Sequence, residues 1–203
     1  GQVDENQASS PLGSARKRSA FDLNRCRDYV RNLFERKSKR VELPLKVQVA
    51  TKVGLSLSAI KHHWREILES LLALNDKRIT KAVQLWLDPV GFVAGEIVVL
   101  FAAQPQRKKL PPRDETERRL GLRKHALIYK WERILRRLEE NSDARIAQAA
   151  AFWRDPGQAI AVEIENGIRD GRYRVMPSQK EVARVFGGTQ DLARRYWVSV
   201  IRR

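Results

Sequence analysis

The sequence holds one cysteine, Cys26, which excludes an internal disulfide framework and a cysteine-built zinc cluster. Long apolar runs are missing too. The best of them, residues 97–103, falls well short of the roughly 18 residues a membrane span needs. No signal-peptide pattern is present, so the expectation is a soluble, cytoplasmic protein. Acidic residues are the minority, 24 Asp and Glu against 40 Lys and Arg, for a formal net charge of +16. Such a surplus points to a polyanionic partner, most often nucleic acid. Hydrophobic residues make up 42% of the 203 positions, too many for a wholly disordered tail and enough for packed cores.

What the sequence does have is a repeat. Displaced by 67 residues, the chain coincides with itself: Leu43-Pro44 meets Leu110-Pro111, Gly54 meets Gly121, and Trp64 meets Trp131. Trp86 meets Trp153, and Asp88-Pro89 meets Asp155-Pro156. A displacement of 66 carries Pro111, Gly121 and Trp131 onto Pro177, Gly187 and Trp197. All five tryptophans belong to the pattern. The chain therefore reads as a flexible basic arm (1–19) and three units at 20–87, 88–154 and 155–203, the last cut short.

Each unit resolves into helices. In the third, Asp155 suits an N-cap and Pro156 a first turn, and Ile160, Ile164 and Ile168 form one stripe. The same stripe appears as Val93, Ile97, Leu100 and Phe101, and as Cys26, Val30, Leu33 and Phe34, which makes Cys26 a core residue. Pro177 is expected to open a second helix burying Val182, Ala183 and Phe186. Gly187 supplies a turn, and Thr189 can cap a third helix with Ala193, Trp197, Val200 and Ile201 inward. Two short helices broken by a glycine, behind a leading helix, describe a helix-turn-helix. Residues 78–86 and 145–153 carry a helical period, with a β-wing as the rival. The fold class expected is all-α or mainly α, three tandem helix-turn-helix units with possible small wings. In the arm, Arg16-Lys17-Arg18 is either a solvated tail, a phosphate contact or a localisation signal.

The stretch from Ala161 to Ile201 resembles the DNA-binding domain of GntR-type transcription regulators. The residues that carry the likeness are Ile164, Gly167-Ile168, Asp170-Gly171, the run from Met176 to Ala183, Phe186-Gly187, Thr189 and Ala193-Arg194. The resemblance implies a helix entering the major groove of DNA. It departs from the family at Gly188, where an apolar residue is usual, and in having no glycine-rich wing after the third helix in the first two units. It implies no metabolite ligand.

A recognition helix offers its first turn and outer face to base edges while neighbouring groups hold phosphate. The outward DNA-binding candidates are Ser56, Ser58, Lys61, His62 and Arg65 in the first unit. In the second they are Arg123, Lys124, His125, Tyr129 and Lys130, and in the third Thr189, Gln190, Arg194 and Arg195, with Asp191 between them. Arg and Lys pair with guanine and Gln with adenine. Residues 106–138 hold twelve Lys or Arg against four Asp or Glu, a local charge of +8. Some of these should pair along their helices, Glu115 with Arg118 or Arg119 and Glu132 with Arg136.

No constellation suits catalysis. His62 and His63 point to different faces, His125 lies in another unit, and Glu96 and Glu163 repeat without a second acid. No cofactor, metal or small-molecule effector is expected, and the chain is not expected to be an enzyme. The function expected is sequence-specific binding of double-stranded DNA, as a nucleoid-associated transcriptional regulator or a plasmid or phage DNA-organising protein. The rivals are a helical-repeat module with an acidic protein partner, and RNA binding.

Overall fold

A computed structural model describes residues 21–201, so the arm expected over residues 1–19 lies outside the described residues. Among the described residues the chain is helical without strands. Its helices run α1 (Leu23–Arg36), α2 (Lys46–Val53), α3 (Leu57–His62), α4 (Trp64–Leu72), α5 (Lys77–Leu87) and α6 (Pro89–Ala103). Beyond them come α7 (Arg113–Arg119), α8 (Trp131–Glu139), α9 (Ala144–Arg154), α10 (Pro156–Arg169), α11 (Gln179–Val185) and α12 (Gln190–Ile201). The β-wing expected as a rival over residues 78–86 and 145–153 does not form; both stretches lie in α5 and α9.

Short polar side chains start these helices. Asp22, Asp88 and Asp155 cap α1, α6 and α10, each accepting the backbone N–H three residues on, and Pro89 and Pro156 fill the first helical position. Asp76 and Asp143 cap α5 and α9. Pro177 does not open α11: Ser178 is its N-cap, closed by Glu181 in a capping box, with Pro177 just outside.

Three hydrophobic clusters succeed one another along the chain. The first gathers Cys26, Val30, Phe34, Val49, Ile60, Trp64, Ile67 and Ile79. The second gathers Val93, Ile97, Phe101, Leu127, Ile134 and Ile146, and the third Ile160, Ile164, Val182, Phe186 and Val200. Ile168 departs from its expected inward stripe and is 50% exposed. Its counterparts Phe34 and Phe101 are buried, and at Phe34 the Arg40 and Arg78 guanidinium groups cover the ring. The described residues contain no third counterpart of α5 to close over Ile168. Trp86 and Trp153, which share one position of the repeat, are 39% and 42% exposed. Each leans on the inner tryptophan of its unit, Trp64 or Trp131.

The end of the leading helix is closed by a distant arginine. Arg78, at the start of α5, donates to the carbonyls of Phe34 (2.9 Å), Lys37 (2.6 Å) and Arg40 (3.4 Å). Arg145 holds the same register in α9 and donates to Pro105 O at 2.6 Å. In both units the loop also folds on itself, Arg40 Nε donating to Glu42 O and Arg107 Nε to Lys109 O, each at 2.9 Å. The last carbonyls of a helix have no partner within it, so these arginines tie the last helix of each of the two units to the end of its first.

The junctions between units repeat as well. Leu85 of α5 reaches the second cluster and Phe152 of α9, at the same register, stacks on Phe186 of the third. Val41 faces Gly121, and Lys108 faces Gly187 and donates to Arg184 O at 3.1 Å. Glu42 receives Arg123 Nε at 2.7 Å. Successive units thus meet through equivalent surfaces.

Replacing Arg78 by Ala is expected to remove about 2 kcal/mol of stability, because charged-donor hydrogen bonds contribute about 1.5–3 kcal/mol. Arg78→Lys should recover little of it, since one ammonium cannot reproduce the planar fork. Urea unfolding midpoints measure both; a midpoint unchanged in Arg78→Ala would mean that water caps α1 equally well.

Candidate nucleic-acid interface

The glycine turn is common to all three units. Gly54, Gly121 and Gly187 sit at φ +74°, +66° and +66°, a region that other residues rarely enter. The residue after each glycine returns its N–H to the helix just left: Leu55 to Ala50 O (3.1 Å), Leu122 to Glu117 O (2.8 Å), Gly188 to Ala183 O (2.8 Å). This is the glycine-ended form of helix closure.

Past the turn the units diverge. In the first unit Ser56 Oγ accepts the Ala59 N–H at 3.1 Å and α3 begins; Ile60 turns inward, and Ser58, Lys61 and His62 lie exposed. Ser56 is therefore engaged as a cap. The helix steps aside at His63, whose ring stacks on Phe21 at 4.0 Å and meets Glu66 at 3.0 Å, and resumes as α4. Arg65 lies on the solvent side of α4 in a 3.0 Å pair with Glu69, with 91% of its side chain exposed, a contact of little strength. In the third unit α12 runs unbroken from Gln190, burying Ala193 and Val200, with Thr189, Gln190, Arg194 and Arg195 exposed. Lys61 and Arg194 occupy one register of the repeat, and His62 and Arg195 the next. Among the described residues, Lys61, Arg194 and Arg195 form no ion pair.

The second unit does not build the expected recognition helix. Residues 123–130 form consecutive turns, with Ala126 N–H bonded to Arg123 O, Ile128 to His125 O, and Lys130 to Leu127 O. The cause is Glu117. Its side chain is buried, and its two carboxylate oxygens accept the backbone N–H of His125 (3.0 Å) and Leu127 (2.9 Å). Those amides are withdrawn from helical pairing, and His125 is left at φ +67°.

Consequently the five candidates of this unit do not share a helix face. Arg123 is paired with Glu42 across the junction, and Lys130 is half-buried beside Ala126. Lys124 and His125 are exposed, and Tyr129 stands 92% exposed at the tip, next to the exposed Ile128. The repeat register carries the signal for this departure. Val49-Ala50 and Val182-Ala183 become Thr116-Glu117, a polar pair where two core residues belong.

The surrounding charges are partly paired, as their spacing predicts: Arg119 meets Glu115 at 2.9 Å and Arg136 meets Glu132 at 3.2 Å. Glu96 and Glu163 are held structurally. Lys81 reaches Glu96 at 3.3 Å, while buried Glu163 receives Arg172, the Tyr173 hydroxyl and Gln148. Among the described residues no three His, Cys, Asp or Glu side chains gather as a metal site. Among them, too, no helix is long and apolar enough to cross a membrane. No family model, no curated protein and no solved structure matches the chain.

Three surface carboxyls are held below their ordinary range: Glu132 by Arg136 and Arg154, Asp143 by Arg145, and Glu181 by the Ser178 hydroxyl and N–H. Each releases its proton more readily folded than unfolded. Their contribution is therefore complete above the ordinary carboxylate range, near about pH 4, and is lost as pH falls through the lowered values. Urea midpoints should fall on acidification below that range, and less so in Glu132→Gln; an equal fall in that variant would mean that Glu132 contributes nothing to the acid sensitivity.

The double substitution Thr116→Val with Glu117→Ala restores the apolar pair of the other units. It is expected to return residues 123–130 to helix, seen as a gain in the helical signal of the far-UV circular dichroism spectrum. An unchanged spectrum would place the cause in the loop's own residues.

Proposed function

We propose that the chain binds double-stranded DNA through the helix-turn-helix arrangements of its first and third units. One observation carries the reading. Both units place a capped or glycine-launched helix after a left-handed glycine, with a cation at the same register of its outer face, Lys61 in one and Arg194 in the other, and neither is paired among the described residues. A helix presented in this way fits the major groove, where Arg and Lys recognise guanine. The net charge of +16 supplies the base-independent part of the attraction. The role proposed is that of a nucleoid-associated regulator or a plasmid or phage DNA-organising protein, without catalysis and without a bound cofactor.

Fluorescence anisotropy with random duplex DNA at two salt concentrations tests this, with single-stranded DNA and structured RNA as comparisons. Duplex should bind tightest, and neutralising six phosphates would give a log-log salt slope of roughly −5. Arg194→Ala and Arg195→Ala should each weaken binding to a selected site about tenfold, within the range for a lost base contact. No duplex binding at low salt would sink the reading and turn attention to an acidic protein partner; preference for RNA would replace DNA with RNA.

A further inference from the structure

We propose that the three units divide the work: the first and third read bases, and the second spans the DNA between them without reading it. The inference rests on the proposed DNA binding and adds the form of the target, two specified segments flanking an unspecified one.

Three observations lead there. First, the second unit lacks the element that enters a groove. Glu117 pins residues 123–130 as turns through the amides of His125 and Leu127, so no straight helix face is available to lie along base edges. Second, two of its five would-be reading side chains, Arg123 and Lys130, are engaged by other groups, and the cation shared by the other two units is replaced. Arg123 is paired with Glu42 of the first unit, and at the registers of Lys61/Arg194 and His62/Arg195 the second unit carries Ile128 and Tyr129. Third, the second unit keeps abundant positive charge, +8 over residues 106–138. Lys124 and Arg133 are exposed there and form no ion pair among the described residues. Charge without a reading helix holds phosphate and carries no sequence information.

The junctions make the division geometrical. Because Leu85 and Phe152, Val41 and Lys108, Gly121 and Gly187 meet at equivalent registers, each unit docks on the next through the same positions. The two reading helices are thus joined through packed junctions, with the basic second unit between them.

The test uses the full chain. Duplexes are selected from a random library, and each base pair of the selected site is then substituted in turn. The expected profile is two blocks in which a substitution weakens binding by about 5- to 150-fold, separated by a block in which none exceeds about twofold. Lys61→Ala should relax one outer block and Arg194→Ala the other. Lys124→Ala with Arg133→Ala should weaken selected and random duplex equally and lower the salt slope. A single continuous block, one block only, or no enriched sequence despite duplex binding would each overturn the division of work. No duplex binding at all would instead remove the reading beneath it.

Discussion

A left-handed glycine after the second helix of each unit constrains everything that comes next. With Gly54, Gly121 and Gly187 in that conformation, the next N–H returns to the helix, and the chain leaves it at once to cross back over it. In the second unit the segment after the turn passes within hydrogen-bond distance of the side chain at the register of Ala50 and Ala183. Ala50 and Ala183 are small and buried, and a helix comes after the turn in both units. Glu117 stands at the same register with a carboxylate that cannot remain buried without donors. The nearest donors are the amides of the crossing segment, and taking them costs that segment its helix. One side chain thereby separates units that share a turn, a leading helix and a core pattern.

The leading helix is governed by a second polar device. A helix end buried against neighbours needs partners for its last carbonyls, and Arg78 supplies them from a distant part of the chain, reaching Lys37 across a separation of 41 positions. Arg145 repeats the arrangement toward Pro105. Because α5 and α9 also send Leu85 and Phe152 into the next cluster, one helix both locks its own unit and docks its neighbour. A repeat built in this way passes orientation along the chain through packed side chains rather than through a linker.

Much of this is legible in the amino-acid sequence, for physical reasons that can be named. Asp-Pro pairs mark helix starts because a short carboxylate and a fixed φ act locally, and Asp88-Pro89 and Asp155-Pro156 do as their chemistry requires. Glycine at a turn is equally local. Glu115 with Arg119 and Glu132 with Arg136 follow from helical spacing alone. Burial depends on what comes to lie on top, and local pattern does not carry that: Ile168 keeps its stripe spacing yet stays half-exposed, and Trp86 and Trp153 keep their repeat register with one face in water. The exposure of Lys61, Arg194 and Arg195 is legible because it follows the repeat. The loss of the helix over residues 123–130 is not legible, because the charge there is conspicuous while the polar pair at a core register is not. Arg123 looks like a reader by position, while its partner Glu42 lies 81 residues away.

Unequal units suit a protein whose affinity and specificity come from different sources. Phosphate contacts add along the length of the duplex whatever its sequence, and their contribution grows with charge. Base contacts discriminate only where a groove-shaped element meets them, and each further reader narrows the set of acceptable sites. A third reading helix would add discrimination but would require all three helices to find their bases at one fixed step. Under the proposed DNA binding, turns in place of the middle helix with its charge kept relax that requirement and retain the hold on phosphate. On the proposed reading, Glu in place of Ala at one core register is what makes a holding unit out of a reading one.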